Sequence, residues 1–193
     1  MAIPSIATPR LVLRGWRSDD RPPFAAMNED PEVMAHFPTP LGRAASDLLL
    51  DGIAGHWAEN GFGLWAVERA SDGRLLGFTG LSRPGFDAPF MPVVEVGWRL
   101  ARDAWGQGYA TEAARAALRF GFETHGLREI VSFTVPANVR SRRVMEQIGM
   151  THDPADDFDH PRLPPGHGLR RHVLYRLSRA RWLSSRDRPN QPG

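Results

Sequence analysis

VVEVGWRLARDAWGQGYATEAARAALRFGFETHGLREIVSFTV, residues 93–135, carries the reading of the fold. Its first eight residues alternate. Val94, Val96, Trp98 and Leu100 fall on one face and Glu95, Gly97 and Arg99 on the other, which predicts a half-buried strand over 93–100. Residues 102–108 read as a turn. From about 111 to 124 the polar residues Glu112, Arg115, Arg119 and Glu123 recur at helical spacing as one narrow stripe. Ala, Leu and Phe fill the other faces, so this helix is expected to pack deep against a sheet. Gly126 stops it, and 130–135 is a short β-rich run. Strand, helix and strand in this length predict a right-handed βαβ unit with a parallel pair.

Upstream, 10–17 reads as a strand. Ser18-Asp19-Asp20 offers an N-cap and an acidic first turn for a helix to about Asn28. A second helical stretch is expected after Asp30-Pro31, with proline at a first-turn position. A third helix, 44–59, ends at Asn60-Gly61. Two β runs, 64–68 and 74–81, flank Ser71-Asp72-Gly73, a hairpin turn. Residues 84–92 form a proline-broken loop. Downstream, a helix runs from Asn138 to Gly149, 153–168 reads as a loop and 172–177 as the last strand. Residues 183–193 form a polar tail, expected to be disordered. With no internal repeat or interdomain linker, residues 1–182 are assigned to one α+β (or α/β) domain built on a mixed sheet.

Composition narrows the classes. Hydrophobic residues are 41% and charged residues 24% of 193, ordinary for a globular chain and incompatible with wholesale disorder. All 24 basic residues are arginine, against 22 acids, so the pI near 9.9 reflects arginine's high pKa, the net charge being only +2. The tight basic clusters are Arg140/Arg142/Arg143 and Arg170/Arg171, too little to predict a nucleic-acid partner. No cysteine is present. That excludes disulfides, thiolate metal sites and a cysteine nucleophile, and it suits a reducing cytoplasm. No apolar run approaches the roughly 18–20 residues of a membrane span. MAIPSIATPR lacks a basic n-region and an apolar h-region, so neither a secretion signal nor a membrane partner is expected. The histidines show no HExxH-type spacing, so no metal is expected.

Two segments carry chemistry. Trp105-Gly106-Gln107-Gly108-Tyr109-Ala110-Thr111 joins a strand to a helix. Glycines let backbone N–H groups approach a ligand closely, and a helix's first turn adds unpaired N–H groups and a positive dipole end. Together they make a pyrophosphate cradle that needs no lysine; a plain strand-to-helix turn is the alternative. In Asn138-Val139-Arg140-Ser141-Arg142-Arg143-Val144-Met145-Glu146-Gln147-Ile148-Gly149-Met150, Ser141, Val144, Met145 and Ile148 share one helical face.

These segments resemble the acetyl-CoA-binding motifs of the GNAT superfamily of N-acetyltransferases: a (Q/R)xxGx(G/A) turn, then an N-x-x-(S/A)-x-x-(V/L)-x-E-x-x-G-(F/M) helix. Glu95-Val96-Gly97-Trp98-Arg99-Leu100 resembles the EIGYxL strand of the RimJ/RimL-like branch, and Thr8-Pro9-Arg10-Leu11-Val12-Leu13-Arg14 resembles that branch's opening strand. The resemblance implies a mixed, mostly antiparallel sheet, splayed at two central parallel strands and flanked by helices, with pantetheine lying in the splay. It implies that the backbone of Trp98, Arg99 and Leu100 bonds pantetheine. Trp105, Gly106, Gln107, Gly108, Tyr109, Ala110 and Thr111 would hold the pyrophosphate. Asn138, Ser141 and Arg142 would also contact the cofactor, Asn138 serving equally as an N-cap.

Two departures stand out. Trp105 replaces the motif's Gln/Arg, as is common in this branch. Met145 stands where many relatives place a tyrosine general acid, leaving Ser141 as the local candidate. Glu95 is the candidate general base, since an ammonium has no lone pair to attack a thioester. The competing readings are a capped or carbonyl-bonded Ser141 and a surface Glu95 paired with Arg99. His160, in the late loop, is a candidate acceptor contact. The implied function is acetyl transfer from acetyl-CoA to a primary amine, either a protein N-terminus or a small molecule, by a monomer or homodimer. The alternatives are a catalytically silent acyl-CoA-binding module and an arginine-rich nucleic-acid binder.

Overall fold

A computed structural model of the protein describes residues 3–186. The described chain packs as two compact units. One comprises the residues up to Ser82 together with Val96–Leu118; the other comprises Arg83–Glu95 and the residues from Arg119 on.

In the first unit, β1 (Ile6–Ala7), β2 (Leu11–Arg14), β3 (Leu64–Arg69) and β4 (Leu75–Ser82) form antiparallel ladders in that order. Beside β4 lies β5 (Glu95–Leu100), whose first residue belongs to the other unit. The β3–β4 hairpin turns where expected: Gly73 takes φ 72° and its N–H donates to the Arg69 carbonyl at 2.9 Å. Close approach of β5 demands glycine on β4. A Cβ on Gly77 would lie 2.1 Å from the Arg99 carbonyl oxygen.

Helices α1 (Arg21–Glu29), α2 (Arg43–Asn60) and α3 (Tyr109–Arg119) complete this unit, apart from α3's last residue. Helix α2 ends as its sequence predicts, on Gly61 at φ 70°. The helix expected after Asp30-Pro31 is absent. Residues 31–36 are successive turns, in which Met34 N–H bonds the Asp30 carbonyl but Phe37 N–H tightens to Met34. Pro38 and Pro40 then deny the chain further helical donors. Ser18–Asp20 form a single 3₁₀ turn leading into α1, and the Arg17 N–H donates to Asp20 at 2.7 Å. The two Asp20 oxygens accept from Arg14 Nη1 and Nη2 at 2.7 and 2.8 Å, while Arg14 Nε reaches Glu68 at 2.5 Å. Arg14 and Asp20 are 5% and 4% exposed, so this is a fully paired buried cation.

In the second unit, β6 (Glu129–Thr134) pairs antiparallel with β9 (Arg171–Ser178) over six residues, Glu129↔Ser178 to Thr134↔Val173. The short strands β7 (Thr151–His152) and β8 (Phe158–Asp159) also pair with β9. The expected parallel pair is present: Glu95 is the register partner of Val131, whose N–H donates to the Val94 carbonyl at 2.9 Å. The architecture is thus α+β with a mixed, mostly antiparallel sheet. Helix α4 (Val139–Gln147) lies between β6 and β7 in sequence, and α5 (Arg179–Arg186) follows β9. Phe122, on a π-helical turn over Phe120–Thr124, stacks on Trp182 with centroids 5.7 Å apart, which anchors α5. Residues 183–186 are therefore helical and not part of a tail; the tail expected over 187–193 lies outside the described residues.

Removing one partner of a buried ion pair leaves an uncompensated charge, at a cost of about 3–5 kcal/mol. Asp20→Ala leaves Arg14 still paired with Glu68, so the unfolding free energy in urea titrations is expected to fall by about 3 kcal/mol, the low end of that range, with an unchanged m-value.

Candidate active site

The glycine turn is built in the first unit. Gly106 and Gly108 take φ 74° and 78°, left-handed values that favour glycine, and a Cβ on Gly106 would meet nothing within 4 Å. The first α-type bond of α3 is Glu112 N–H to the Gly108 carbonyl at 3.0 Å. That leaves the N–H groups of Tyr109 and Ala110 beyond the reach of the helix's own carbonyls. The turn is braced by its own side chains: Trp105 Nε1 donates to the Leu100 carbonyl at 2.9 Å, and Gln107 Nε2 to the Asp103 carbonyl at 3.0 Å.

Arg10 is the residue that sequence reasoning left out of the site. Its Nη1 donates to the Gln107 carbonyl at 2.8 Å, its Nε to Glu112 at 2.7 Å, and its guanidinium lies 4.8 Å from the Tyr109 ring centroid. Thr8 Oγ1 and Arg10 N–H also donate to Glu112, at 2.7 and 2.9 Å. The bonds from Thr8 and Arg10 hold the half-buried Glu112 carboxyl below its ordinary range, against the desolvation that opposes them. Arg10 stood inside the quoted opening-strand motif; only folding carries it about a hundred residues along the chain to the turn.

In the second unit, Glu95 is half-buried and forms no ion pair with a described residue. Its register partner Val131 and that strand's next same-face residue, Phe133, belong to an apolar cluster with Phe86, Phe90, Phe158 and Leu174. Phe86 and Phe133 meet edge to face at 5.7 Å and Phe90 and Phe158 at 4.7 Å. Desolvation on this face pushes the Glu95 carboxyl up to about 8. The alternative of an ordinary surface ion pair with Arg99 is not realised: Arg99 donates to Asn28 instead. His160 adjoins the same cluster, 4.6 Å from Phe86 and 5.1 Å from His172 by ring centroids. Burial first, then His172 and Arg162, hold its imidazole below the usual histidine value.

At the start of α4, Asn138 does cap the helix, accepting from Ser141 N–H at 3.2 Å, and it donates to Thr134 Oγ1 at 3.0 Å. Ser141 is half-buried, and its hydroxyl forms no hydrogen bond to a described residue, which removes the reading of a carbonyl-satisfied serine. Arg142 donates to the Tyr175 hydroxyl at 3.3 Å and the Pro136 carbonyl at 3.2 Å. Met145, 1% exposed, fills its position as core.

A model of the acetyltransferase (GNAT) domain matches residues 10–151. The chain belongs to the GNAT acetyltransferases. It is 33% identical over 197 aligned residues to the FsC-acetyl coenzyme A-N(2)-transacetylase of Aspergillus fumigatus, covering 94% of this chain and 79% of that one. An acetyltransferase from Agrobacterium tumefaciens superposes with TM-score 0.74 at 29% identity, over 92% of this chain and 95% of that one. The spermidine N-acetyltransferase of Vibrio cholerae, solved with CoA and spermine, superposes with TM-score 0.72 at 19% identity, over 91% and 99%, a likeness of fold alone.

For this GNAT chain the raised Glu95 has a consequence for stability that needs no substrate. Its carboxyl holds a proton up to about pH 8 when folded but releases it near 4.3 when unfolded. Between those values the folded state binds more protons, so Glu95 lowers stability as pH rises through this window. The stability of Glu95→Gln relative to the parent is therefore expected to grow from pH 4 to pH 8 and level off above. Parallel pH profiles for the two proteins in urea melts would contradict the desolvation of this group.

Proposed function

We propose that this protein transfers an acetyl group from acetyl-CoA to a primary amine by direct attack, with no covalent enzyme intermediate. The observation that carries the reading is the turn at Gly106 and Gly108, with the amide donors of Tyr109 and Ala110 at the start of α3 beyond the reach of the helix's own carbonyls. The likeness to the fungal FsC-acetyl coenzyme A-N(2)-transacetylase supports both donor and reaction. The two strand motifs, Thr8 to Arg14 and Glu95 to Leu100, support the RimJ/RimL-like branch.

The donor set fits a pyrophosphate: amide N–H groups aimed from a helix start, with no Cβ in the way. Gly106, Gln107, Gly108, Tyr109, Ala110 and Thr111 would bind it, braced by Trp105 and by Arg10. The backbone of Trp98, Arg99 and Leu100 would bond pantetheine, and an N–H of that strand would stabilise the thioester oxyanion. Part of the Leu100 carbonyl's capacity is already given to Trp105. Asn138 and Arg142 would contact the cofactor from the start of α4.

The amine's lone pair forms the new C–N bond as the C–S bond breaks. Glu95 takes the amine's proton, and the departing thiolate receives one from Ser141, whose hydroxyl has no competing partner among the described residues and regains its proton from solvent. A carboxylate with its pKa near 8 is a far better base than an ordinary one, at the cost of being half-protonated at that pH. His160, kept neutral by burial, would line the acceptor's approach. A chain without cysteine suits a cytoplasmic setting.

Acetyl-CoA at about 100 times its Kd is expected to add about 2.7 kcal/mol of stability, a clear rise in Tm. Gly108→Asp should abolish the rise by placing a carboxylate in the cradle. The absence of any shift with acetyl-CoA or CoA in the parent would refute the reading. Glu95→Gln should lower kcat by about 10²-fold or more, Ser141→Ala by less, since a thiolate leaves more readily than an amine loses its proton. Neither should change acetyl-CoA affinity more than a few-fold. Parental turnover in Glu95→Gln across a pH–rate profile would reassign the base.

A further inference from the structure

The first unit contains two arginines withdrawn from water, and they are treated oppositely. Arg14 is held by two carboxylates, Asp20 and Glu68, and its guanidinium is driven above its ordinary value, first by the Asp20 bond. Arg99, on the face of β5 opposite Trp98, has no carboxylate partner among the described residues. Its Nη1 donates to the neutral Asn28 Oδ1 at 2.6 Å, and its Nε is buried with no hydrogen-bond partner. The guanidinium lies 4.2 Å from the Phe37 ring centroid and 5.3 Å from that of Phe78. Desolvation pulls it down to about 10, a rare fate for arginine.

This arrangement is costly without a counter-ion. Ring faces offset only part of the loss when a cation leaves water, and a buried charge left unpaired is strongly destabilising. The side chain is nonetheless held in place. Asn28 is fully buried and donates to Ser46 Oγ at 3.2 Å; Ser46 in turn donates to the Leu41 carbonyl at 3.3 Å, and Leu41 N–H returns to the Asn28 carbonyl at 2.9 Å. A closed hydrogen-bond circuit thus fixes one edge of the guanidinium. Over it, Phe37 is 39% exposed, on the turn segment that precedes α2. A rigidly held cation between two rings, one of them solvent-facing, offers an anion a fixed partner.

We propose that Arg99 receives a carboxylate carried by the acceptor, so that the amine acetylated belongs to a free amino acid and not to a plain amine or an amidated α-amine. The inference rests on the acetyltransferase reading and names the substrate class of that activity. A carboxylate is favoured over a phosphate because the single guanidinium balances one negative charge, whereas a phosphate monoester carries nearly two. The same ligand supplies the charge that the fold withholds, and a site left with its buried cation unpaired rejects analogues that lack the anion.

The test compares acceptors in matched pairs: L-leucine with 3-methylbutylamine and with L-leucinamide, L-phenylalanine with 2-phenylethylamine, and 4-aminobutyrate with butylamine. Thiol release from acetyl-CoA is followed, and acetyl-CoA-induced stabilisation of each variant verifies that it is folded. The parent is expected to favour the carboxylate member of at least one pair by about 10²-fold in kcat/KM, mostly through KM. Arg99→Met should collapse that ratio toward one. Arg99→Lys, which keeps the charge and loses the fork, should retain part of it. Equal use of both members of every pair by the parent, or an undiminished preference in Arg99→Met, overturns the proposal. If acetyl-CoA stabilises the parent but no acceptor is used, calorimetry with N-acetyl-L-leucine and CoA decides: binding lost in Arg99→Met supports the carboxylate site, and no binding to the parent overturns it. If acetyl-CoA itself fails to bind, the acetyltransferase reading fails on its own, and L-leucine titrated into the parent and Arg99→Met decides the anion site by the same two outcomes.

Discussion

The N–H groups of Tyr109 and Ala110 have no acceptor within α3, because an α-helix closes its first bond only four residues in. That geometric fact is the origin of the anion cradle, and the surrounding structure protects it. Glu112, in the same first turn, would compete with a bound anion for these donors and for the helix dipole. Instead its carboxylate is tied down by Thr8 and by the backbone and side chain of Arg10. Arg10 in turn reaches the Gln107 carbonyl, so one acid–base pair both removes the competitor and holds the glycine turn open.

Strand β5 carries the other half of the chemistry. Its approach to β4 is possible because Gly77 has no Cβ to strike the Arg99 carbonyl. Its start reaches the parallel bridge to β6, which sets Glu95 on an apolar face. The electrostatics of Glu95 and Arg99 share one cause. Each has been withdrawn from water without an opposite charge among the described residues, and each shifts toward its neutral form: the carboxyl upward, the guanidinium downward. Arg14 shows that this chain can pair a buried cation fully where structure is the only purpose. Groups left unpaired in partly open positions are where a substrate's own charge does most.

Legibility followed the reach of the signal. Long periodic segments were readable: α2 with its Gly61 stop, the β3–β4 hairpin at Gly73, and the parallel strands around α3. The two-residue strands β1, β7 and β8 are too short for a period of two to show. Asp30-Pro31 was misleading because proline suits a first helical turn, while Pro38 and Pro40 decide whether the helix can continue. Asp20 does stand at a helix start and accepts from the Arg17 N–H, but the claim of Arg14 on both its oxygens depends on the fold and not on the local window. In both cases the partner or the break lies beyond the window that displays the local preference.

By itself the sequence determined the glycine turn, the Asn138 cap, the alternation that puts Glu95 and Arg99 on one face of a strand, and the family. All of these are properties of neighbouring residues, written in spacing and φ preference. Only the tertiary structure decided the charge states. Whether Glu95 finds a cation or an apolar wall, and whether Arg99 finds a carboxylate or Asn28 and two phenylalanine rings, depends on residues tens of positions away. Electrostatic energy is set by the medium and the partners around a group, and neither is a property of the residue that carries the charge.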